Sequence, residues 1–336
     1  MELTNTQTYT ATILRMLSLY IREGPSAKQK TFLNPNKTDL NLRTLISQIT
    51  SSLLVQDVFK SAGLVARFDQ KQALRFTEDL TTFLAKKGLQ VYIEDSLKDK
   101  VDCSVEFIPL TEMKTDFIIT IGGDGTILRA ALNIPKPDTP LLAVNMGVRG
   151  FLTEVEPQDT YQAIERILKG DFRVEKSTKM AITAGKQHLP DALNDVVIST
   201  GEPSKILYSE ICKDGKPILK CQADGIIMGT QTGSTGYSLS AGGPVLDSDV
   251  DAFVLTPICS LTVFHALVLP TTAAITFNVL RPEKMLIQID GNYRKTIDTD
   301  KLTITVTKSQ NVTSFIRFES NFYDRLRNRL LFKGTE

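Results

Sequence analysis

From residue 63 onward the apolar positions follow two alternating periods. Leu64-Val65-Ala66-Arg67 is a short apolar run that predicts a strand. Over Gln72–Lys87 the apolar residues Leu74, Phe76, Leu80, Phe83 and Leu84 recur at helical spacing, and Gly88 marks the stop. Strands are predicted next at Leu89–Ile93 and Val105–Ile108. Residues 116–126, DFIITIGGDGT, then run five apolar or β-branched positions (Phe117 to Ile121) into three glycines. An apolar run bounded in this way reads as a buried strand of a parallel sheet. A helix over Thr126–Asn133, a strand over Leu141–Asn145 and a helix over Asp159–Lys169 complete the pattern. Strands alternating with helices predict an α/β domain on a parallel, Rossmann-like sheet.

After Gly170 helical periodicity disappears. β-branched runs between turns predict strands at 173–183, 195–199, 207–212, 218–222, 226–228, 275–280, 285–289 and 302–306, with a hairpin turn at Lys213-Asp214-Gly215-Lys216. The apolar stretch 252–280 is broken by Pro257, Pro270, His265 and several threonines, so it reads as short buried strands and not as a membrane span. Phe322–Phe332 predicts a basic amphipathic helix, with Phe322, Leu326, Leu330 and Leu331 on one side and Arg325, Arg327 and Arg329 on a solvated face. Before residue 61 the pattern is weaker. Ile13, Leu14, Met16, Leu17 and Ile21 share a helical face, and a second helical stretch covers roughly 39–62. The expected organisation is a helical extension or oligomer contact at 1–60, an α/β domain at 61–170, an all-β domain at 171–318 and a helical tail at 319–336.

Composition narrows the function. The 336 residues suit two domains, and 39 basic against 38 acidic residues leave a net charge of +1, which argues against nucleic-acid binding through a basic surface. Four scattered cysteines without a Cys-x-x-Cys pair fit reduced thiols in a cytoplasmic protein. With only two histidines, His188 and His265, a zinc site or a Ser-His-Asp triad is not expected. No secretory signal is visible at the start.

Four stretches carry candidate chemistry. Gly122-Gly123-Asp124-Gly125-Thr126 follows a strand and opens a helix, where an open α/β sheet holds its ligand. Its glycines let backbone amides approach an anion. Asp124 would repel phosphate, so it reads as a base for a hydroxyl or as a magnesium ligand, with an ordinary Gly-Asp-Gly turn as the alternative. Asn194-Asp195 combines an amide with a carboxylate, a pairing suited to ribose hydroxyls or to a turn cap. Asp224, before a strand, is a further lone carboxylate with the same alternatives. Residues 228–246, MGTQTGSTGYSLSAGGPVL, crowd hydroxyls and five glycines together. They read as neutral donors for phosphate or sugar oxygens, with Tyr237 available to stack on a base, or as a flexible linker. Tyr237, Leu239, Val245 and Leu246 would anchor the loop.

Taken in order and spacing, these stretches resemble the ATP-NAD kinase family. GGDGT at 122–126 marks the wider group that includes diacylglycerol kinases and phosphofructokinases. RGFLTEV (149–155), Asn194-Asp195, residues 223–246, TPIC (256–259) and IDGN (289–292) resemble the NAD kinase branch, over residues 62 to 332. The resemblance implies transfer of the terminal phosphate of ATP, or of polyphosphate, to the adenosine-ribose 2′-hydroxyl of NAD. Asp124 would be the base. Gly122, Gly123 and Gly125 would hold phosphates, Thr126 and Arg129 would belong to the cofactor-binding set beside them, and Phe151 would pack on the nucleotide. Asn194 and Asp195 would bind the ribose and adenine end and Asp224 the nicotinamide side. Thr235, Gly236, Tyr237, Ser240 and Asn292 would line the NAD pocket, in part from a neighbouring subunit. Mg²⁺ would accompany ATP, and the assembly would be a homodimer or homotetramer with no nucleic-acid or membrane partner. Three positions depart from the family: Gln222 for Arg, Ser260-Leu261 for Pro-His, and Asn292 for Gln. A lipid or sugar kinase on the same core and a non-catalytic NAD-binding regulator are the competing readings.

Overall fold

Strands β1 (Ser61–Ala66), β2 (Gln90–Glu94), β3 (Glu106–Ile108), β4 (Phe117–Gly122) and β5 (Leu141–Asn145) lie parallel in the order β3-β2-β1-β4-β5. The computed structural model that gives this arrangement describes residues 59–147, 150–202, 205–262, 264–281, 284–298, 301–318 and 322–330. The helices expected at 13–21 and over most of 39–62, together with Arg149, Leu331 and Phe332, lie outside the described residues. β4 is buried along its whole length, which explains its unbroken apolar run. Helices α1 (Lys71–Lys86) and α3 (Thr160–Leu168) cover one face of the sheet, where Leu80, Leu84, Ile164 and Ile167 join Phe117 and Ile119 in one core. Helix α2 (Asp124–Asn133) covers the other face through Ile127, Ala130 and Ala131. Gly88, at φ +84°, ends α1 as its sequence position predicts. The helix expected through residue 62 does not reach that far. β1 starts at Ser61, whose N–H and hydroxyl both donate to Asp116 at the head of β4.

Beyond α3 the chain is almost entirely β. Strands β6 (Arg173–Ala184), β7 (Gln187–Ala192), β8 (Asp195–Thr200), β9 (Leu207–Lys213), β10 (Lys216–Ala223) and β11 (Gly225–Gly229) come first. The short helix α4 (Tyr237–Ser240) separates them from β12 (Ala252–Ile258), β13 (Leu267–Pro270), β14 (Ile275–Arg281), β15 (Lys284–Ile289), β16 (Tyr293–Asp298) and β17 (Leu302–Arg317), and α5 (Phe322–Leu330) follows. The antiparallel sheet β13-β12-β11-β8-β15-β16 shares an apolar core with strands of the other sheet, including Ile182, Ile211, Phe277 and Ile304. The β9–β10 hairpin turns through Asp214 and Gly215, both at positive φ (50° and 76°), as an Asp-Gly hairpin requires. The apolar stretch 252–280 forms β12, β13 and most of β14. Among the described residues no helix is long and apolar enough to cross a membrane.

β17 joins the two halves. Its early residues pair with β14 and most of its length with β6, while Phe315 sits beside Leu141 of β5 in parallel register. One sheet of eleven strands therefore runs through both parts of the chain. The sequence pattern placed only residues 302–306 in this strand. The polar run Thr307–Thr313 hides the rest, because the β6 partner shifts register there.

Candidate active site

The parallel sheet reverses its strand order at the β1/β4 boundary, and β4 delivers Gly122, Gly123 and Asp124 to its carboxyl end there. Such a switch point is where open α/β sheets bind ligands. A Cβ on Gly122 would lie 2.3 Å from the Thr126 hydroxyl oxygen, so a larger residue would displace that side chain. At Gly123 and Gly125 a Cβ would meet nothing within 4 Å, so both open onto free space. Asp124 is the first residue of α2, where a carboxylate complements the helix dipole. It is half-buried. Its two oxygens accept the backbone N–H groups of Phe151 (3.1 Å) and Leu152 (3.0 Å), which fixes its direction.

The segment that supplies those two amides is itself held from behind. Arg317, at the end of β17, is 2% exposed and donates to the carbonyl of Leu152 (3.0 Å) and to Glu154 (3.0 Å) and Glu175 (3.2 Å). Arg325 of α5 reaches the same Glu154 carboxylate at 3.5 Å. The solvated face expected for the arginines of this helix therefore excludes Arg325. The ring of Phe151 lies in the core, 5.6 Å edge-on from Phe322, and what it offers Asp124 is its main-chain N–H.

A second wall is built on the turn Leu193-Asn194-Asp195, which enters β8. Thr230 locks this turn, its hydroxyl donating to the Leu193 carbonyl (2.6 Å) and its N–H to that of Asn194 (2.8 Å). A Cβ on Gly233 would come within 1.9 Å of the Asn194 carbonyl oxygen, so only glycine lets the two segments pack. Gly236 faces the side chains of both acceptor residues, its Cβ direction 3.5 Å from Asn194 Nδ2 and 3.7 Å from Asp195 Oδ2. Burial, and then the neighbouring Asp290 carboxylate, push the Asp195 carboxyl up to about 7. Asp290 is 4% exposed and accepts the N–H groups of Leu193 (2.8 Å), Asn194 (2.7 Å) and Asp195 (3.0 Å). Asp290 lies in the IDGN stretch, where the sequence assigns it no role of its own, although Asp290-Gly291 between apolar runs is a hairpin signal. Both residues take positive φ (49° and 68°) in the β15–β16 turn. The two walls rest on one core, in which Leu193 joins Leu128, Phe151 and Phe322.

The stretch 228–246 is ordered and mostly buried, which removes the flexible-linker alternative. Gly229 ends β11, Thr232–Thr235 form a 3₁₀ turn and α4 follows. Several hydroxyls expected to face phosphate or sugar are instead committed locally. Ser234 donates to Gln231, Thr235 to Thr232, and Ser238 shares a hydrogen bond with Thr256. Val245 and Leu246 do anchor the loop in apolar clusters, whereas Tyr237 is 48% exposed and joins no apolar cluster among the described residues; Ser240 is exposed beside it.

Residues 62–172 match the ATP-NAD kinase N-terminal domain and residues 193–318 the ATP-NAD kinase C-terminal domain. The chain belongs to the ATP-NAD kinase family. It is 38% identical over 277 residues to the NAD kinase of Methanothermobacter thermautotrophicus, covering 82% of this chain and 97% of that protein. It is likewise 38% identical over 267 residues to the NAD kinase of Pyrococcus furiosus, covering 78% and 96%. Among solved structures, an NAD kinase from Archaeoglobus fulgidus in complex with ATP matches at 25% identity and a TM-score of 0.65, over 80% of this chain and 99% of its own. Yeast NADH kinase complexed with NADH shares the fold, with a TM-score of 0.75 at 22% identity over 84% and 90% of the two chains.

Not every residue singled out by the family resemblance joins the two walls. Arg129 is turned toward β1 and β2, where its two terminal guanidinium nitrogens bind Glu94 (2.5 and 2.8 Å) and one of them also binds the Ala66 carbonyl (3.0 Å). Asp224 precedes β11, whose Gly225 pairs with Ser199 while Gly229 pairs with Asp195. At about 3.3 Å per residue, Asp224 is roughly 15 Å along the strand from the Asn194–Asp195 turn. Asn292 closes the β15–β16 turn by donating to the Asp290 carbonyl (2.9 Å). The two other departures from the family lie together in space, because Leu261 N–H (2.8 Å) and Ser260 Oγ (3.2 Å) both donate to the Gln222 carbonyl.

Proposed function

We infer that the protein is an NAD kinase, which transfers the terminal phosphate of ATP to the 2′-hydroxyl of the adenosine ribose of NAD and releases NADP and ADP. The likeness to the NAD kinases of Methanothermobacter thermautotrophicus and Pyrococcus furiosus, over 82% and 78% of this chain and 97% and 96% of theirs, carries this reading. In it, Asp124 takes the hydroxyl proton as the 2′-oxygen bonds to the terminal phosphorus and the bond to ADP breaks. The amides of Phe151 and Leu152 aim the carboxylate. Gly122, Gly123, Gly125 and the first turn of α2, including Thr126, receive phosphate oxygens. Asn194 and Asp195 grip the ribose and adenine end, with Thr235 and Gly236 behind them. Asp224 serves the nicotinamide end, and the exposed Tyr237 and Ser240 close the pocket, reaching it from a neighbouring copy in a homodimer or homotetramer. Asn292 supports the pocket through the β15–β16 turn, and Arg129 acts at the phosphate side by bracing the sheet edge.

Phosphoryl transfer is governed by positioning and charge neutralisation, and Mg²⁺ bound to ATP supplies part of the latter. An ion of this kind is held chiefly by substrate phosphates and waters, with one or two carboxylates at most. The four free cysteines suit a reducing cytoplasm.

The test is to incubate the purified protein with Mg-ATP and NAD and follow NADP. NADP formation supports the kinase. Binding of NAD without NADP formation would mean a sensor, and neither result would point to another acceptor. In Asp124→Asn we expect NAD binding to persist, measured by calorimetry, while turnover falls 10²-fold or more, the scale of general-base loss. Turnover near that of the wild type in this variant would remove Asp124 from the mechanism.

A further inference from the structure

Asp290 neither faces solvent nor reaches the open side of the site. Its two carboxyl oxygens take three consecutive main-chain N–H groups, those of Leu193, Asn194 and Asp195, and its own N–H returns to the Asp195 carbonyl (3.0 Å). Three successive amides can converge on one carboxyl group only when the chain between them is bent in one way. We propose that Asp290 is a positioning residue of the nucleotide site, whose carboxyl group sets the bend at Leu193–Asp195 and thereby aims the Asn194 and Asp195 side chains at the ribose of NAD. The proposal rests on the NAD kinase reading above and adds to it the residue that orients the substrate-binding pair.

Two further observations support it. Among the described residues Asn194 Oδ1 is buried without a hydrogen-bond partner. A sugar hydroxyl is a donor that such a buried acceptor would take. Lys179, 3% exposed, donates to the Ala131 carbonyl (3.0 Å) in the last turn of α2, and its charge also acts on Asp290. Since α2 begins with Asp124, this hydrogen bond ties the helix of the base to β6. Burial pushes the Asp290 carboxyl up, against the pull of the three amides and of Lys179.

The test uses Asp290→Asn and Asp290→Gly in the full-length protein, since Asn and Gly both accept the positive φ of this position. Steady-state kinetics would give KM for NAD and for Mg-ATP separately, and calorimetry the Kd for NAD. A positioning role predicts that KM and Kd for NAD rise tenfold or more, that KM for Mg-ATP stays within twofold, and that kcat falls less than KM for NAD rises. Asn194→Ala should weaken NAD binding in the wild-type background and add little to Asp290→Asn, because neighbours that act through one contact are not additive. A remote core variant, Ile304→Val, should leave KM for NAD unchanged at similar stability. Unchanged NAD affinity in both Asp290 variants, equal losses for NAD and ATP, or failure of both variants to fold would each overturn the positioning role. If the wild type made no NADP yet bound NAD, the kinase reading would fail alone, and the calorimetric comparison would still judge Asp290. Absence of NAD binding in the wild type would overturn both.

Discussion

The carboxylates show how far a side chain's meaning depends on its surroundings. Asp124 was legible because three glycines and a strand end isolate it in the sequence. Asp195 was legible as a ligand candidate through its Asn neighbour, but its protonation was not, since that follows from burial beside Asp290. The consequence for stability has a definite sign. In the unfolded chain Asp195 ionises near 3.8, whereas the folded protein holds its proton to about 7. The unfolded state therefore binds fewer protons across that window, and stability falls as pH rises from about 4 to 7, then levels off once both states are ionised. Asp195→Asn does not titrate. Thermal melts from pH 5 to pH 8 should show its Tm gaining several degrees relative to the wild type, with no further gain above the plateau; parallel curves would contradict the assignment.

Elements divide into those fixed by local pattern and those fixed by neighbours. α1 and β4 were readable because one face or one continuous run is apolar and each is closed by glycine. The 228–246 stretch was not, because its composition suits a loop while its conformation is set by contacts with residues 193–195. Gly233 is the point of closest approach. Gly233→Ala would drive a Cβ into the Asn194 carbonyl oxygen, and overpacking of this kind costs about 1–3 kcal/mol. We expect a lower Tm together with at least a tenfold weaker Kd for NAD by calorimetry, whereas Gly215→Ala in the β9–β10 turn, where a Cβ has open space, should lower Tm without touching NAD affinity.

At the scale of the molecule, one ion cluster joins the parallel sheet, the antiparallel part and the last helix. Arg317 and Glu154 are each 3% exposed at the side chain and bind one another, Glu175 and Arg325. Removing one partner of a buried pair costs up to about 3–5 kcal/mol, and Arg325 at 3.5 Å from Glu154 offsets part of that here. Arg317→Met should show a loss up to this size in urea unfolding, and Arg317→Met with Glu154→Leu should recover part of it. Equal destabilisation of the single and double variants would mean that packing, not charge, dominates there.

The sequence by itself determined the parallel βα pattern, the β-rich half that follows, the glycine-bounded Asp124 and the family, because each is written in residues close together along the chain. Tertiary structure alone decided that β17 would stitch both halves into one sheet, that Arg325 would turn to Glu154, that Arg129 would turn to Glu94 and that Asp290 would hold the Asn194–Asp195 turn. Those outcomes depend on pairings between residues tens to more than a hundred positions apart. Burial and hydrogen-bond partners at such separations are set by packing, and local periodicity carries no record of them.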